Sequence, residues 1–150
     1  MIFEQFFDKT SSTYTYLISS GPGREALIID PVLEHVDSYI NLLNKLNLKL
    51  VKVIDTHIHA DHITGMSDLK DKTNCETIMG DKTPTDIVSI KVKDQENITI
   101  DKIKLKAIYT PGHTSESFSF LMEDRVFTGD TLLIGGTGRT DFQNGNPYDS

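Results

Sequence analysis

The sequence has little of several features that would restrict its function. Cys75 is the single cysteine among 150 residues, so no disulfide can form within the chain, and zinc or iron–sulfur sites that need several thiolates are excluded. No run of about 20 apolar residues exists that could span a membrane. Basic residues number 15 against 22 acidic ones, giving a net charge of −7. This balance argues against nucleic acid or an anionic membrane as the main partner.

The size and the start of the chain predict one cytoplasmic domain. Residues 1–7 carry an acid at Glu4 and no basic side chain, which is unlike a secretory signal. A single cysteine fits a reducing compartment. There is no repeat, low-complexity tract or linker-like change in composition, so residues 1–150 are predicted to form one domain.

Hydrophobic patterns predict many strands and few helices. The clearest strand covers 103–109, where Ile103, Leu105 and Ala107 alternate with lysines. Five of the ten glycines lie between Gly129 and Gly145, which predicts a loop for the last quarter. Further strands are predicted over 13–18, 26–29, 50–54, 76–79, 98–100, 117–121 and 125–128, and helices over 34–46 and 61–69. This mixed order favours a layered sheet core with helices outside it.

The strongest chemical signal is a cluster of histidines after the strand predicted over 50–54. His57, His59 and His62 are three of the five histidines, and Asp61 stands among them. Imidazole and carboxylate groups suit divalent metal ions, and the change from an extended segment to a helix would let alternating side chains converge. Two simpler interpretations stay open, because histidines are often surface residues and Asp61 could be a helix N-cap.

Two further residues follow predicted strands and gain weight together. His113 lies in Thr110–Thr114 after the strand over 103–109, and Asp130 follows the strand over 125–128. Each alone is more often a turn residue. Two histidines and a carboxylate from separate strand ends could, however, form the facial triad of non-haem iron enzymes. His35 is expected to be a solvated or capping residue and not a ligand.

The metal-ligand pattern resembles that of the metallo-β-lactamase superfamily. The matching residues are His57, His59, Asp61, His62, His113 within Pro-Gly-His, and Asp130 within Gly-Asp. The resemblance implies an α+β fold, a four-layer αββα sandwich with the metal centre at one edge of the two sheets.

Three stretches are similar to the persulfide dioxygenases, which are related to glyoxalase II but bind a single iron: Ile29–Glu34, His59–Gly65 and Gly138–Gly145. This resemblance implies one Fe(II) per chain, with zinc as a possible substitute. The implied catalytic metal ligands are His57, His113 and Asp130, and the residues surrounding the site, or binding a second metal in dinuclear zinc relatives, are His59, Asp61 and His62. Arg139 matches an arginine implied to bind the glutathione carboxylate. Thr137 stands where some members have a cysteine, so no thiol role is implied there.

The implied reaction is oxidation of glutathione persulfide by O2 to sulfite and glutathione. A glyoxalase II-like thioester hydrolase with two zinc ions is an alternative, although Ala60 and Thr140–Phe142 favour the dioxygenase. A non-catalytic fragment is another alternative, because relatives continue past Ser150 with a helix and a strand that carries a further histidine. The sandwich is therefore expected to be truncated at its C-terminus, and its exposed edges predict self-association, with a homo-oligomer possible.

Overall fold

The computed structural model describes residues 1–57, 64–82, 88–110, 118–122, 125–127 and 132–134, the last two ranges as backbone only. These residues form eleven strands and two helices, with a short 3-10 turn at Leu33–His35. The strands are β1 (Ile2–Asp8), β2 (Thr13–Ser19), β3 (Glu25–Ile29), β4 (Lys49–Ile54), β5 (Glu76–Gly80), β6 (Ile90–Val92), β7 (Asn97–Ile100), β8 (Ile103–Tyr109), β9 (Phe118–Leu121), β10 (Arg125–Phe127) and β11 (Leu132–Ile134). The helices are α1 (Val36–Lys45) and α2 (Met66–Thr73).

The strands form two sheets. The first sheet has six strands in the order β1 to β6, antiparallel from β1 to β3 and parallel from β3 to β6. The helices α1 and α2 lie between successive parallel strands, as crossover connections require. The second sheet has the order β11-β10-β9-β8-β7 and is antiparallel throughout.

Two apolar cores hold these layers together. The core between the sheets contains Tyr16, Ile18, Leu27, Ile29, Ile54, Ile78, Val92, Ile98, Ile100, Ile103, Leu105, Ala107, Phe118, Phe120 and Met122. The other core joins the opposite face of the first sheet to the helices, and includes Leu17, Ile28, Val36, Tyr39, Leu43, Val53, Met66 and Leu69. The predicted α+β sandwich of two sheets with helices outside is thereby confirmed. The helices described here cover the first sheet.

Eight of the eleven described strands agree with a predicted range to within one residue at each end. The strand predicted over 103–109 is β8 with the same bounds, and its lysines are exposed. Three strands lie outside the predicted ranges, namely β1, β6 and β11. The prediction of a loop for the whole last quarter is therefore wrong at Leu132–Ile134, where β11 pairs with β10.

The second helix lies further along the chain than predicted. The sequence predicted a helix over 61–69, but Thr64 bridges Val32 and the helix begins at Met66 and ends at Thr73. The amide of Gly65 donates to the carbonyl of Pro31 at 2.9 Å, so tertiary hydrogen bonds hold this backbone outside the helix. Residues 61–63 lie outside the described residues.

Arg24 and Asp101 join the two sheets at the edge where β3 and β8 begin. The guanidinium donates to both carboxylate oxygens, at 2.5 and 2.7 Å, and Ser20 donates to the same carboxylate at 2.6 Å. These hydrogen bonds, with that of Arg24 the stronger, hold the pKa of Asp101 below its ordinary value. β3, β4 and β8 end at the opposite edge of the sandwich.

Among the residues that the structure describes, no helix is long and apolar enough to cross a membrane.

Candidate metal centre

The strands that precede the three metal-ligand motifs all end at one edge of the sandwich. The amide of Phe118, the first residue of β9, donates to the carbonyl of Thr56 at 2.9 Å, just after β4. Tyr109, the last residue of β8, pairs with Phe118. β10 is antiparallel to β9, so β10 ends at this edge too, at Phe127. The segments that carry the motifs therefore leave their strands from neighbouring positions.

One predicted metal ligand lies within the described residues. His57 follows β4 and is 7% exposed. The other predicted site residues lie outside the described residues, and their placement stays a prediction: His59, Asp61, His62, His113, Asp130 and Arg139. Within the described part of the chain, no group of three His, Cys, Asp or Glu side chains could hold a metal ion.

A chain of hydrogen bonds runs from the His57 ring into the buried end of β3. His57 Nδ1 lies 2.9 Å from Thr56 Oγ1. The Thr56 hydroxyl donates to Asp30 Oδ2 at 2.8 Å, and the Thr56 amide donates to Asp30 Oδ1 at 2.8 Å. Both Thr56 and Asp30 are buried, at 1% and 0% exposure. The Asp30 carboxylate therefore accepts hydrogen bonds from both the backbone amide and the hydroxyl of Thr56, the residue before His57.

This arrangement assigns the tautomer of His57. A threonine hydroxyl has one hydrogen, and here it is donated to the Asp30 carboxylate. Thr56 Oγ1 must then accept from His57 Nδ1, which carries the ring hydrogen in the neutral imidazole. The lone pair lies on Nε2, the nitrogen that would bind a metal. Orienting a metal-binding histidine through its other nitrogen is a general feature of such sites.

Asp30 occupies an uncommon backbone conformation that suits this role. Its φ is 56°, in the left-handed region that aspartate and asparagine tolerate better than most residues. The Asp30 amide donates to the carbonyl of Ile54 at 2.7 Å, and its carbonyl accepts from the Thr15 hydroxyl at 2.6 Å. Tyr39 donates in turn to Thr15 at 3.2 Å. The sequence patterns placed Asp30 directly after the strand predicted over 26–29 and within the stretch Ile29–Glu34, without a role at the site. Its signal was an acid directly after a fully apolar run.

The chain is also anchored where it leaves the histidine cluster. The Thr64 hydroxyl lies 3.1 Å from Asp55 Oδ1 and 3.3 Å from the carbonyl of Pro31. A Cβ on Gly65 would lie 3.3 Å from the Val32 carbonyl carbon and oxygen, so glycine permits this close approach. The residues on both sides of the 58–63 segment are therefore hydrogen-bonded to the residues that follow β3.

Aromatic side chains of the second sheet pack together at the same edge of the sandwich. Phe118 is fully buried, and a Cβ on Gly80 would lie 2.0 Å from its ring. Tyr109 packs on Phe118 with 5.4 Å between ring centroids. The Thr110 hydroxyl lies 2.7 Å from that of Ser119, which ties down the start of the segment that contains His113. The Phe118 ring thus leaves no room for a side chain at position 80, so glycine is needed there at the end of β5.

His35 lies apart from this network. It stands at the N-cap position of α1 without a side-chain capping hydrogen bond, and its Nε2 lies 2.8 Å from Asp8 Oδ1. The Ser11 hydroxyl and amide donate to the other Asp8 oxygen at 2.6 and 2.9 Å. The hydrogen bonds from Ser11, followed by that from His35, lower the pKa of Asp8 to about 2. Its side chain is 42% exposed, in agreement with the expected solvated residue, and its hydrogen bond to Asp8 joins the β1–β2 hairpin to the helix.

The sequence model of the Metallo-beta-lactamase superfamily matches residues 9–87 and 82–150. The chain belongs to the metallo-β-lactamase superfamily. The crystal structure of ETHE1 from Myxococcus xanthus superposes on 97% of the chain with a TM-score of 0.83 and 46% sequence identity, and the match covers 64% of that structure. The two sheets and the edge described above are thus the scaffold of a metallo-β-lactamase fold.

Curated relatives within the superfamily fall into two groups. The mouse (Mus musculus) protein named persulfide dioxygenase ETHE1, mitochondrial, is 38% identical over 148 residues, covering 97% of this chain and 58% of the relative. A probable hydroxyacylglutathione hydrolase of Schizosaccharomyces pombe is 35% identical over 137 residues, covering 87% of this chain and 53% of that protein. The resemblance to persulfide dioxygenases, with hydroxyacylglutathione hydrolases further off, is thus confirmed. The chain spans little more than half the length of these curated relatives.

Proposed function

We propose that the protein is an iron-dependent persulfide dioxygenase that oxidises glutathione persulfide with O2 to sulfite and glutathione. The observation that carries this proposal is the 38% identity to a persulfide dioxygenase, which extends over 97% of the chain. The Myxococcus xanthus structure, which is 46% identical, carries the same name ETHE1 and agrees with this proposal. A cytoplasmic location stays a prediction, whereas the mouse relative is named as mitochondrial.

Among the described residues, His57 has a ring orientation and tautomer that suit a metal ligand. Its Nδ1 hydrogen is committed to Thr56, so Nε2 offers a lone pair to a cation. We propose that His57, His113 and Asp130 hold one Fe(II), a set of two histidines and one carboxylate that suits non-haem iron. When bound, the iron would supply the electron transfer to dioxygen and positions for both reactants.

The protein side chains then have defined tasks. Asp30 and Thr56 keep the His57 ring in the orientation and tautomer that present Nε2. Arg139 is proposed to bind a glutathione carboxylate through its two-pronged guanidinium. These residues position the substrate and the ligand set, and contribute no electrons themselves.

A hydroxyacylglutathione hydrolase is the second candidate function. The similarity to the Schizosaccharomyces pombe protein favours it, at 35% identity over 87% of the chain. This chemistry would use a metal-bound hydroxide in a dinuclear zinc site, with His59, Asp61 and His62 as ligands of the second metal. A non-catalytic role is the third candidate, and any turnover would exclude it.

One experiment separates these candidates. The protein is purified without oxygen, its iron and zinc per chain are measured, and it is assayed for oxygen uptake and sulfite release on glutathione persulfide. Hydrolysis of lactoylglutathione is measured in parallel, with His57→Ala as the inactive control. About one iron per chain with sulfite release supports the dioxygenase. Two zinc ions with thioester hydrolysis and no oxygen uptake would establish the hydrolase instead.

A further inference from the structure

Lys82 lies at the edge of the sandwich where β4 and β8 end (the metal edge), beside the segment that carries His57. β5 pairs in parallel with β4, with Ile78 opposite Ile54, and the amide of Asp55 donates to the carbonyl of Ile78 at 3.1 Å. His57 follows Ile54 closely along the chain, as Lys82 follows Ile78. Because neighbouring strands of a sheet are about 4.8 Å apart, these two residues leave adjacent strands at the same edge.

The Lys82 side chain reaches from the first sheet to the second across this edge. Its Nζ lies 5.5 Å from the centroid of the Tyr109 ring, a cation–π contact. Tyr109 is the last residue of β8, the strand that leads into the segment containing His113. The ammonium group is therefore held beside the starts of two segments that carry proposed metal ligands, His57 and His113.

The charge of this ammonium group is not neutralised by the described part of the chain. Lys82 is exposed, and among the described residues it forms no ion pair. The preceding Asp81 has its Oδ1 buried, and its amide donates to the carbonyl of Val92 at 2.7 Å. The Asp94 carboxylate accepts from the amide of Tyr109 at 2.8 Å. A positive charge therefore faces solvent at the metal edge.

The contact with Tyr109 suits Lys82 to bind an anion. The ring faces only one side of the ammonium group, so other N–H donors stay available for a carboxylate. Packing on the ring also restricts the flexible four-carbon stem of the lysine, which reduces the entropy that is lost when an anion binds. A lysine that only covered the ring would use its stem and would not need its charge.

The substrates of both candidate functions carry negative charge in the same part of the molecule. Glutathione has two carboxylates and one ammonium group, and it is common to the persulfide and to the thioester. The net charge of the chain is −7, so an anionic substrate requires local positive charge where it enters.

We propose that Lys82 binds one of the two glutathione carboxylates at the metal edge and thereby selects substrates that carry this group. Arg139 is then left for the other carboxylate. The inference rests on the proposed function only through glutathione, which the dioxygenase and the hydrolase share. Lys82 is a specificity-determining residue in this role, since it contacts the substrate away from the reacting sulfur.

The first test measures binding of reduced glutathione to the purified protein by isothermal titration calorimetry. Lys82→Gln removes the charge and should raise the Kd roughly three- to tenfold, whereas Lys82→Arg keeps the charge and should stay within about twofold of the wild type. Lys104→Gln is the matched control, because it removes the same charge from an exposed position in the middle of β8. Equal Kd values for Lys82→Gln and Lys104→Gln would overturn the proposal, as would a wild-type protein that does not bind glutathione.

The second test identifies the carboxylate. Glutathione monoethyl ester lacks the charge of the glycyl carboxylate, and cysteinylglycine lacks the γ-glutamyl carboxylate. If Lys82 binds one carboxylate directly, the difference between wild type and Lys82→Gln should persist for only one of these two ligands. Any other pattern would overturn the assignment to a single carboxylate.

Turnover of glutathione persulfide separates this inference from the proposed function. Lys82→Gln should raise KM and leave kcat nearly unchanged, because the contact is remote from the reacting sulfur. Glutathione binding that depends on Lys82 in a protein without oxygen uptake would support this inference and exclude the dioxygenase. Oxygen uptake with the same KM in Lys82→Gln and wild type would overturn this inference and support the dioxygenase.

Discussion

Replacing Asp30 by asparagine should change the tautomer of His57 without changing the shape of the site. Asparagine can still accept from the Thr56 amide through its side-chain oxygen, but its NH2 group now faces Thr56 Oγ1, where Asp30 Oδ2 accepted before. The hydroxyl must then accept from asparagine and donate its own hydrogen to His57 Nδ1. The ring hydrogen moves to Nε2, so the metal-facing nitrogen loses its lone pair.

The magnitude follows from the two contacts that change. Both hydrogen bonds to Asp30 are 2.8 Å long and fully buried, and hydrogen bonds to charged groups contribute about 1.5–3 kcal/mol each. Because Asp30→Asn keeps the number of bonds and loses only their charge assistance, the free energy of unfolding should fall by about 1–2 kcal/mol. Metal affinity should fall by about 10–100-fold, as is typical when the group that orients a ligand is changed.

The assay combines three measurements on the same samples. Nitrogen-15 chemical shifts of the His57 ring report its tautomer, anaerobic Fe(II) titration reports affinity, and urea unfolding reports stability. Thr15→Val is the matched control, since it removes a buried hydrogen bond to the Asp30 carbonyl and leaves the carboxylate intact. If Asp30→Asn and Thr15→Val lose similar stability and bind iron equally well, Asp30 is merely structural and the tautomer argument fails.

Three other changes test separate parts of the account. Gly80→Ala should lower the free energy of unfolding by about 1–3 kcal/mol, because its Cβ would overlap the buried Phe118 ring. Gly21→Ala is the control, since its Cβ would make only an ordinary van der Waals contact, 3.9 Å from Arg24 Cδ, and should change the free energy of unfolding in urea by less than about 0.5 kcal/mol. The lowered pKa of Asp8, about 2, means that its ionised form stabilises the fold above an unfolded pKa of roughly 3.9, and this contribution is lost as pH falls through 2. Asp8→Asn should therefore be less stable than wild type at pH 6, with the difference vanishing towards pH 2, and a difference that stays constant over this range would contradict the assignment. Arg139→Lys should weaken glutathione persulfide binding by about 1–3 kcal/mol, mainly in KM, and an unchanged KM would remove Arg139 from the substrate site.

The sequence was informative for strands with a clear apolar run or a clear alternation of apolar and polar residues. In β8 the lysines alternate with buried residues, so periodicity alone gave its bounds. β1 has no such alternation, because Phe6 and Phe7 are adjacent and both of its faces are partly apolar. β6 and β11 have three residues each, which is too short for a periodic signal. These strands form because a neighbouring strand supplies hydrogen bonds, which a local pattern cannot reveal.

The start of α2, after the histidine cluster, could not be predicted from a local sequence pattern either. Its composition allowed a start at Asp61, but Val32 pairs with Thr64 and the Pro31 carbonyl accepts from Gly65, so the helix cannot begin before Met66. At its other end, Asn74 adopts a left-handed conformation with φ 58° that ends the helix. Long-range backbone hydrogen bonds here outweigh helix propensity, and they come from the segment that follows Asp30.

The candidate site divides into residues that carry a chemical signal and residues that do not. The joint spacing of His57, His59, Asp61 and His62 is rare enough in a sequence to predict a metal ligand set. Asp30 and Thr56 are common residue types, and their importance arises only because the parallel pairing of β3 with β4 brings their side chains to 2.8 Å. Since the Asp30 carboxylate decides which His57 nitrogen holds the lone pair, the property that suits the histidine to a metal is encoded 27 residues earlier in the chain.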